Sequence, residues 1–207
     1  MRSLNNQKTS SLFSIKSMAV MAILAAATVP LMWFEIPLWF APPFYELDFS
    51  EVPVLIGAFA LGPIAGIIIE FLKILLNLVT TGTQTVGTGE LANFIIGCSF
   101  VVPASIIYYK NKTLKSAING LVIGTMLMVV LGAFMNAFVL LPIYAYFFNM
   151  PMDALVKMGT TVNPAINNIS TFIFYAVVPF NMIKGVLVSL ITLLIYKRIS
   201  GLIKSIG

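Results

Sequence analysis

The sequence predicts an all-α integral membrane protein, a bundle of six transmembrane helices with cytoplasmic N- and C-termini. Its 207 residues are 59% hydrophobic and only 9% charged. Most of the charged residues lie between long apolar segments, whereas a soluble domain of this size needs far more charge to cover its surface. The segments between the apolar runs also differ in charge from one side of the predicted membrane to the other, which indicates the orientation.

Six apolar runs correspond to the six predicted helices. The second run, EVPVLIGAFA, is too short to cross a hydrocarbon core of about 30 Å, so we expect it to be tilted into the bundle or shielded by protein. The fifth and sixth runs are longer than a span requires, and Pro142 and Pro179 are their predicted bend points. The runs are 17–34, 52–61, 64–80, 91–109, 116–148 and 166–196.

The predicted domain organisation is a single membrane unit. Residues 1–16 form a cytoplasmic N-terminal segment, 17–200 a single six-helix transmembrane domain, and 201–207 a cytoplasmic tail. No stretch outside the apolar runs is long enough to bury a core of its own. The sequence contains no G-x-x-x-x-G-K phosphate-binding loop, so transport would draw its energy from an ion gradient or from a separate subunit.

The charge distribution follows the positive-inside rule, under which Lys and Arg accumulate in cytoplasmic segments. Nine basic residues flank the apolar runs on one predicted side, against Lys157 alone on the other, so both termini are predicted inside. The nine are Arg2, Lys8, Lys16, Lys110, Lys112, Lys115, Lys197, Arg198 and Lys204, and the acidic residues predicted outside are Glu35, Glu46, Asp48, Glu51, Glu90 and Asp153.

The composition argues against several kinds of chemistry. The sequence has one cysteine, Cys98, and no histidine, so a disulfide, a transition-metal site and a histidine-based catalytic triad are not expected. The basic residues border apolar runs instead of forming one patch, so no nucleic-acid partner is expected. We predict that the protein is not an enzyme and has neither catalytic residues nor a metal site.

The first predicted outer loop, EIPLWFAPPFYELDFSEVP, is rich in aromatic residues, prolines and carboxylates. Its prolines stiffen it, so that it could lie across the mouth of the bundle and pack there. The alternative interpretation is an interfacial aromatic belt that contains Trp33, Trp39, Phe40 and Tyr45. Composition alone leaves both interpretations open.

The second predicted outer loop, TTGTQTVGTGELAN, is rich in threonine and glycine. Glycine permits close approach of the backbone to a ligand, and threonine hydroxyls can satisfy polar ligand groups. The alternative is a flexible turn into the next helix, with Glu90 as a first-turn carboxylate that faces the helix dipole. The two interpretations can hold together.

The few polar residues inside the apolar runs are candidates for function, because ionisable groups are costly in a bilayer. Glu70 and Lys73 share a helix face and are predicted to pair, as structural neutralisation or in a proton relay. Interhelical hydrogen bonding explains Asn136 and Asn181. It explains Lys184 poorly, since this residue lies roughly 18 Å from the inner end of its run. An outer-loop carboxylate or a bound polar ligand must partner Lys184, and we favour a ligand pocket open to the outside.

Three alanines, Ala19, Ala22 and Ala26, form a stripe of small residues on the first run. Such a face lets two helices approach each other closely. The stripe either packs against other helices of the same chain or docks onto a partner membrane protein. The residues alone leave both interpretations open.

Three blocks of the sequence, LDFSEVPVLIGAFALGPIAG, TGELANFIIG and PFNMIKG, follow one another in a chain of six predicted spans. With them the chain resembles the riboflavin-specific substrate-binding subunits (S-components) of energy-coupling-factor (ECF) transporters, from about residue 14 onward. The resemblance implies a multi-pass protein of the prokaryotic plasma membrane that captures riboflavin from outside with very high affinity. It also implies a membrane scaffold subunit (T-component) and two cytoplasmic ATPases as partners, and no cofactor besides the transported ligand.

The resemblance implies roles for individual residues as well. Riboflavin is neutral and flat, so its site needs apolar walls with a few placed polar groups. Aromatic walls are available from Phe44, Tyr45 and Phe49. By resemblance, the riboflavin-binding residues are Tyr45, Leu47, Asp48, Gly89, Asn136, Asn181 and Lys184, and the partner-docking residues are Ala19, Ala22 and Ala26.

Three other functions remain open. One is a substrate-binding subunit for another vitamin: the carboxylate of biotin would suit Lys184, which would repel cationic thiamine. A small ion-coupled carrier is disfavoured by the chain length, the lack of a sequence repeat and the scarcity of titratable groups. An intramembrane enzyme is the weakest alternative, since Glu70 and Lys73 are an isolated pair.

Overall fold

The computed structural model describes residues 12–83 and 85–206, and most of them are helical. The predictions for Arg2, Lys8 and residues 1–11 of the N-terminal segment lie outside the described residues. The helices are α1 (Ile15–Trp33), α2 (Glu51–Leu61), α3 (Pro63–Thr81), α4 (Thr88–Lys110), α5 (Leu114–Met135), α6 (Leu141–Phe147), α7 (Met152–Val162), α8 (Ile169–Phe172) and α9 (Val178–Ile206).

Two kinds of short element complete the fold. The π-helical segment Asn136–Leu140 joins α5 to α6, and a second one, Ile173–Val177, joins α8 to α9. The strands β1 (Ile36–Pro37) and β2 (Glu46–Leu47) pair in an antiparallel hairpin, within the loop that connects α1 to α2. The end of the bundle that carries this β1–β2 hairpin is called the hairpin end below.

Five helical stretches within the described residues are long and apolar enough to cross a membrane. The predicted all-α membrane architecture is therefore confirmed, and the described residues contain five long apolar spans and one short apolar helix. The short helix is α2, which corresponds to the second apolar run. The five spans are Ile15–Trp33, Pro63–Thr81, Thr88–Lys110, Leu114–Phe147 and Ile169–Tyr196.

The short helix α2 lies at the centre of the bundle. It contacts α1, α3, α4 and α9, and residues on all of its sides are buried, among them Val54, Leu55 and Ala58. A helix that is apolar all round is stable only where other helices surround it. The expectation that protein shields the second run is thus confirmed.

Glycines make this close packing possible. A Cβ atom at Gly66 of α3 would lie 2.7 Å from the Cβ of Ala58 in α2 and 2.8 Å from a methyl of Val101 in α4. At Gly62, the residue between α2 and α3, φ is +102°, a conformation that side-chain-bearing residues rarely adopt. The Gly62-Pro63 turn therefore reverses the chain so that α3 runs back along α2.

The two long C-terminal spans contain the π-helical segments instead of simple bends. Pro142 and Pro179 are the second residues of α6 and α9. Since proline lacks an N–H, the carbonyls four residues earlier, at Phe138 and Tyr175, lose their usual helical donor. Both of these residues lie in a π segment, where the wider turn re-routes the hydrogen bonds. The predicted irregularities occur one turn before each proline.

The alanine stripe of α1 faces away from the bundle. The buried side of α1 contains Met21 and Ala25, whereas Ala19, Ala22 and Ala26 are all exposed. With 3.6 residues per turn, Ala22 and Ala26 lie about 100° and 140° from Met21 around the helix. Packing against helices of the same chain therefore does not account for the stripe.

Candidate functional site

A cavity of about 330 Å³ opens at the hairpin end of the bundle, within the size range of small-molecule sites. Its position follows from the lengths of α2 and α3, which run antiparallel from a shared turn. The helix α2 has 11 residues and α3 has 19. At 1.5 Å per residue, the end of α2 away from the shared turn lies about 12 Å short of the far end of α3. Glu51, at the start of α2, lies in the cavity wall together with Ile74, Asn77 and Thr81 from the last two turns of α3. The cavity occupies the space that the short helix leaves.

The cavity brings together six of the seven predicted binding residues. Leu47 is the exception: it is only 1% exposed and lies outside the cavity wall, on the strand β2. Phe49, which was expected to form an aromatic wall, packs against the main hydrophobic core instead. The six residues in the wall are Tyr45, Asp48, Gly89, Asn136, Asn181 and Lys184.

An ion pair in the cavity wall joins the first loop to α9. The Lys184 ammonium donates to Asp48 Oδ2 at 2.8 Å, and both residues are buried. The other oxygen, Asp48 Oδ1, accepts from the backbone N–H of Ser50 at 2.8 Å and from the Ser50 hydroxyl. Of the two partners considered for Lys184, an outer-loop carboxylate or a bound ligand, the structure shows the carboxylate.

These contacts keep Asp48 ionised. Burial by itself would raise the pKa of the Asp48 carboxyl, but the Lys184 and Lys73 charges and the hydrogen bonds from Lys184 and Ser50 outweigh burial and hold this pKa below its usual range. A depressed carboxyl pKa stabilises the fold above the unfolded-state value and loses that effect only as the pH falls through the folded-state value. The pair with Lys184 thus persists throughout the neutral range.

A second ionic cluster lies beside the cavity. The Lys73 ammonium is 2.7 Å from Glu70 Oε1, as the predicted pair requires, and also 2.7 Å from Glu51 Oε1. Glu51, which was predicted on the outer side of the membrane as a loop carboxylate, is 1% exposed and begins α2 inside the bundle. The reason is that Lys73 needs more than one carboxylate oxygen to satisfy its three N–H groups.

The two asparagines are held by short polar contacts. The Tyr45 hydroxyl donates to Asn136 Oδ1 at 2.5 Å, and Asn136 Nδ2 donates to the carbonyl of Gly132 at 2.8 Å. Asn181 Nδ2 donates to the carbonyl of Val177 at 2.9 Å. In each asparagine, Nδ2 has a second N–H that remains available for hydrogen bonding. Both therefore have hydrogen-bonding capacity left for a ligand in the cavity.

The two asparagines lie at the π-helical segments of the long C-terminal spans. Asn136 is the first residue of one π segment, and Asn181 lies in the first turn of α9, directly after the other. An inserted π turn shifts the helical phase of everything that follows it. It therefore changes which side chains face the cavity.

Aromatic side chains form one wall of the cavity. The ring of Tyr45 lies 4.8 Å from Phe44 and 5.3 Å from Phe180, centre to centre, and Tyr144 belongs to the same cavity wall. Burial raises the pKa of Tyr45, so its hydroxyl remains a donor at neutral pH. The aromatic belt interpretation suits the exposed Trp33 and Trp39 but not Tyr45, which points into the bundle.

The second loop closes another side of the cavity. The Thr85 hydroxyl donates to Glu90 Oε2 at 2.7 Å and accepts from the Gly89 N–H at 3.0 Å. A Cβ atom at Gly89 would lie 2.7 Å from the Thr85 hydroxyl oxygen and 3.1 Å from the Tyr144 hydroxyl. Glycine is thus required for close packing here, and Glu90 lies in the first turn of α4 as predicted.

Two carboxyls meet at the edge of the cavity. Glu35 directly precedes β1 and Glu46 is the first residue of β2, and their carboxyls lie within hydrogen-bonding reach of each other. Burial, together with that hydrogen bond and the charge of Glu46, raises the pKa of Glu35 from 4.5 to about 7. The Glu35 carboxyl can therefore donate to Glu46 below about pH 7 and loses this contact above it.

The described residues contain no group of three or more His, Cys, Asp or Glu side chains that could hold a metal. Sequence reasoning did not assign Glu51, Phe180 or Tyr144 to the wall. For Glu51 a signal was present, since it starts the one apolar run that is too short to span.

Comparison with known proteins identifies the relatives of the chain. Residues 16–196 match the family described as ECF transporter, substrate-specific component. The riboflavin transporter RibU of Staphylococcus aureus (strain TCH60) is 36% identical over 205 residues, which cover 99% of this chain and 98% of that protein. The riboflavin transporter FmnP of Bacillus subtilis (strain 168) is 30% identical over 188 residues, covering 89% and 92%. Among solved structures, the S component of a bacterial ECF transporter is similar, with a TM-score of 0.69, 34% identity and coverage of 90% of this chain and 96% of that one.

We expect the β1–β2 hairpin to be held more tightly below neutral pH than above it. The pKa of Glu35 is raised to about 7, so its contact with Glu46 stabilises the hairpin at low pH and is lost as the pH rises through about 7. Hydrogen exchange at the hairpin amides, corrected for the intrinsic pH dependence of exchange, should therefore increase between about pH 6 and pH 8.

The variant Glu35→Gln should flatten this profile, because a carboxamide does not titrate. The matched control is Asp153→Asn, which removes an exposed carboxylate outside the spans and the hairpin. That control should keep the wild-type profile. An unchanged profile in Glu35→Gln would show that the Glu35–Glu46 contact does not govern the hairpin.

Proposed function

The chain belongs to the family of ECF transporter substrate-specific components, and on this basis we propose that it is the riboflavin-binding subunit of an ECF-type vitamin importer. The observation that carries the proposal is the cavity at the hairpin end, where an aromatic wall adjoins amide, ammonium and carboxylate groups. Relatives that are 36% and 30% identical are named riboflavin transporters. The proposed activity is capture of riboflavin from outside the cell and its delivery inward.

The chemistry of riboflavin suits the cavity. Its isoalloxazine ring is flat and uncharged, so it can stack on aromatic side chains such as Phe44 and Tyr45. Its ring carbonyls and ribityl hydroxyls call for a few polar partners, which Asn136, Asn181 and Lys184 can supply. Because Asp48 already neutralises Lys184, the site does not demand an anionic ligand. This weakens the case for biotin, and the names of the curated relatives weigh against thiamine.

We further propose the topology that the sequence predicts. The short helix α2 counts as the sixth membrane helix within a transmembrane domain at 17–200, and both termini lie in the cytoplasm with the segments 1–16 and 201–207. Charge supports this orientation: Lys110 ends α4 and Lys112 follows it, at the end of the bundle opposite the hairpin, and cytoplasmic loops are enriched in such residues. The cavity then opens to the outside.

Transport requires partners under this proposal. The sequence has no phosphate-binding loop of its own, so two cytoplasmic ATPases would supply the energy through a membrane T-component. The exposed stripe of Ala19, Ala22 and Ala26 supports docking to such a scaffold. Small residues on a lipid-facing helix surface allow another helix to approach closely.

Two substitutions in the cavity test the binding role. Lys184→Ala removes a donor and leaves the buried Asp48 without its counter-charge, so riboflavin affinity should fall roughly 30-fold or more. Asn181→Ala removes one neutral hydrogen-bonding group and should cost roughly 3- to 10-fold. Titration of the purified variants with riboflavin, followed by quenching of flavin fluorescence, measures both.

The control for these variants is Asn119→Ala, which removes an exposed asparagine of α5 that lies outside the cavity wall. It should bind riboflavin like the wild type. If Lys184→Ala and Asn181→Ala retained full affinity while remaining folded, their place in the site would be wrong.

Substitutions on the alanine stripe test the docking role. Ala22→Leu and Ala26→Leu should leave riboflavin affinity unchanged, since both residues face away from the bundle, yet reduce riboflavin uptake and co-purification with the T-component. A bulky side chain on a small-residue face keeps the partner helix at a distance.

The matched control is Ala27→Leu, which places the same side chain at an exposed α1 position outside the stripe. It should preserve both uptake and complex formation. Normal complexes with Ala22→Leu and Ala26→Leu would contradict the docking role.

A further inference from the structure

Asp48, just before α2, and Glu51, its first residue, differ in how many hydrogen bonds their carboxylate oxygens accept. Asp48 already accepts three hydrogen bonds: Oδ2 accepts from Lys184, and Oδ1 accepts from the backbone and the hydroxyl of Ser50. These contacts leave little capacity for a ligand. Asp48 is therefore better suited to hold Lys184 in place than to contact a bound molecule itself.

Glu51 is the opposite case. Its Oε1 accepts from Lys73 at 2.7 Å, but its Oε2 is buried and accepts no hydrogen bond from any described residue, as is also true of the oxygens of the adjacent Glu70, which lies outside the cavity wall. The side chain is only 2% exposed, so bulk water does not compensate. A buried carboxylate oxygen without a donor is costly, and native structures rarely leave one in that state.

The position of Glu51 shows where a donor can come from. Glu51 belongs to the cavity wall, whereas its cluster partners Lys73 and Glu70 do not. Glu70 lies behind Gly97, where a Cβ atom would collide with its carboxylate. Lys73 cannot fill the need, because this one ammonium already faces two carboxylates. Of the three charged residues, only Glu51 can meet a molecule in the cavity.

We infer that Glu51 is a ligand-binding residue whose Oε2 atom accepts a hydrogen bond from a neutral donor of the bound flavin. This inference rests on the proposed function. Riboflavin carries two kinds of neutral donor, the imide N3–H of the isoalloxazine ring and the hydroxyls of the ribityl chain. Either one, placed against Glu51, would satisfy the unpaired oxygen and tie the ligand to the ionic cluster that fixes α2 against α3.

The test compares two variants of the same cluster. Glu51→Gln removes the charged acceptor at the cavity wall but leaves Lys73 paired with Glu70. Glu70→Gln removes the other carboxylate, outside the wall, and leaves Lys73 paired with Glu51. Riboflavin affinity should fall roughly 10-fold or more in Glu51→Gln, the loss expected for one charge-assisted hydrogen bond, and stay within about 2-fold of wild type in Glu70→Gln.

Two riboflavin analogues distinguish the donors. 3-Methylriboflavin lacks the N3–H, and lumiflavin lacks the ribityl chain. If the N3–H is the donor, Glu51→Gln should weaken riboflavin and lumiflavin but leave the affinity for 3-methylriboflavin unchanged. If a hydroxyl is the donor, lumiflavin should be the insensitive ligand. Either pattern supports the inference.

Three outcomes would overturn it: full riboflavin affinity in Glu51→Gln, equal losses in Glu51→Gln and Glu70→Gln, or an equal loss for all three flavins. If Glu51→Gln does not fold, Glu51→Asp, which keeps the charge near Lys73 but withdraws the oxygens from the cavity, is judged by the same criteria. Failure of the wild-type protein to bind riboflavin would overturn the proposed function itself and this inference with it.

Discussion

An ammonium group buried in an apolar bundle must have a carboxylate partner, and here one short stretch of chain provides partners for two of them. Asp48 pairs with Lys184 of α9, and Glu51, three residues later, pairs with Lys73 of α3. Loss of one partner from a buried pair typically costs about 3–5 kcal/mol, because the remaining charge is left uncompensated. The stretch 48–51 therefore fixes the first loop, α2, α3 and α9 relative to one another.

The cavity follows from the same constraint. Because α2 begins at this ionic anchor and not at the hairpin end of the bundle, the last two turns of α3 have no α2 residues beside them. The hairpin and its aromatic residues lie over the space that remains, with Tyr45 hydrogen-bonded to Asn136. The charges that stabilise the fold thus also form part of the wall around the proposed ligand, which links binding to the packing of the bundle.

The sequence predicted the parts of this arrangement that depend on local pattern and on the cost of burial. The lengths of the apolar runs predicted the long spans and the shielding of α2. The rule that a buried charge needs a partner identified Lys184 as a candidate site residue and predicted the Glu70–Lys73 pair. The only sequence signal for Glu51 was its position at the start of the short run, because its full burial depends on how deep α2 lies between four other helices. The π segments were equally out of reach, since helical periodicity does not reveal one extra residue per turn.

The central claim is that the cavity at the hairpin end binds one riboflavin, and the most direct test is the absorbance and fluorescence of the purified wild-type protein titrated with riboflavin. The account predicts flavin absorbance bands that remain with the protein through size-exclusion chromatography at one flavin per chain. Fluorescence should be quenched, because the ring stacks against aromatic side chains. A colourless protein that also fails to quench added riboflavin would contradict the account.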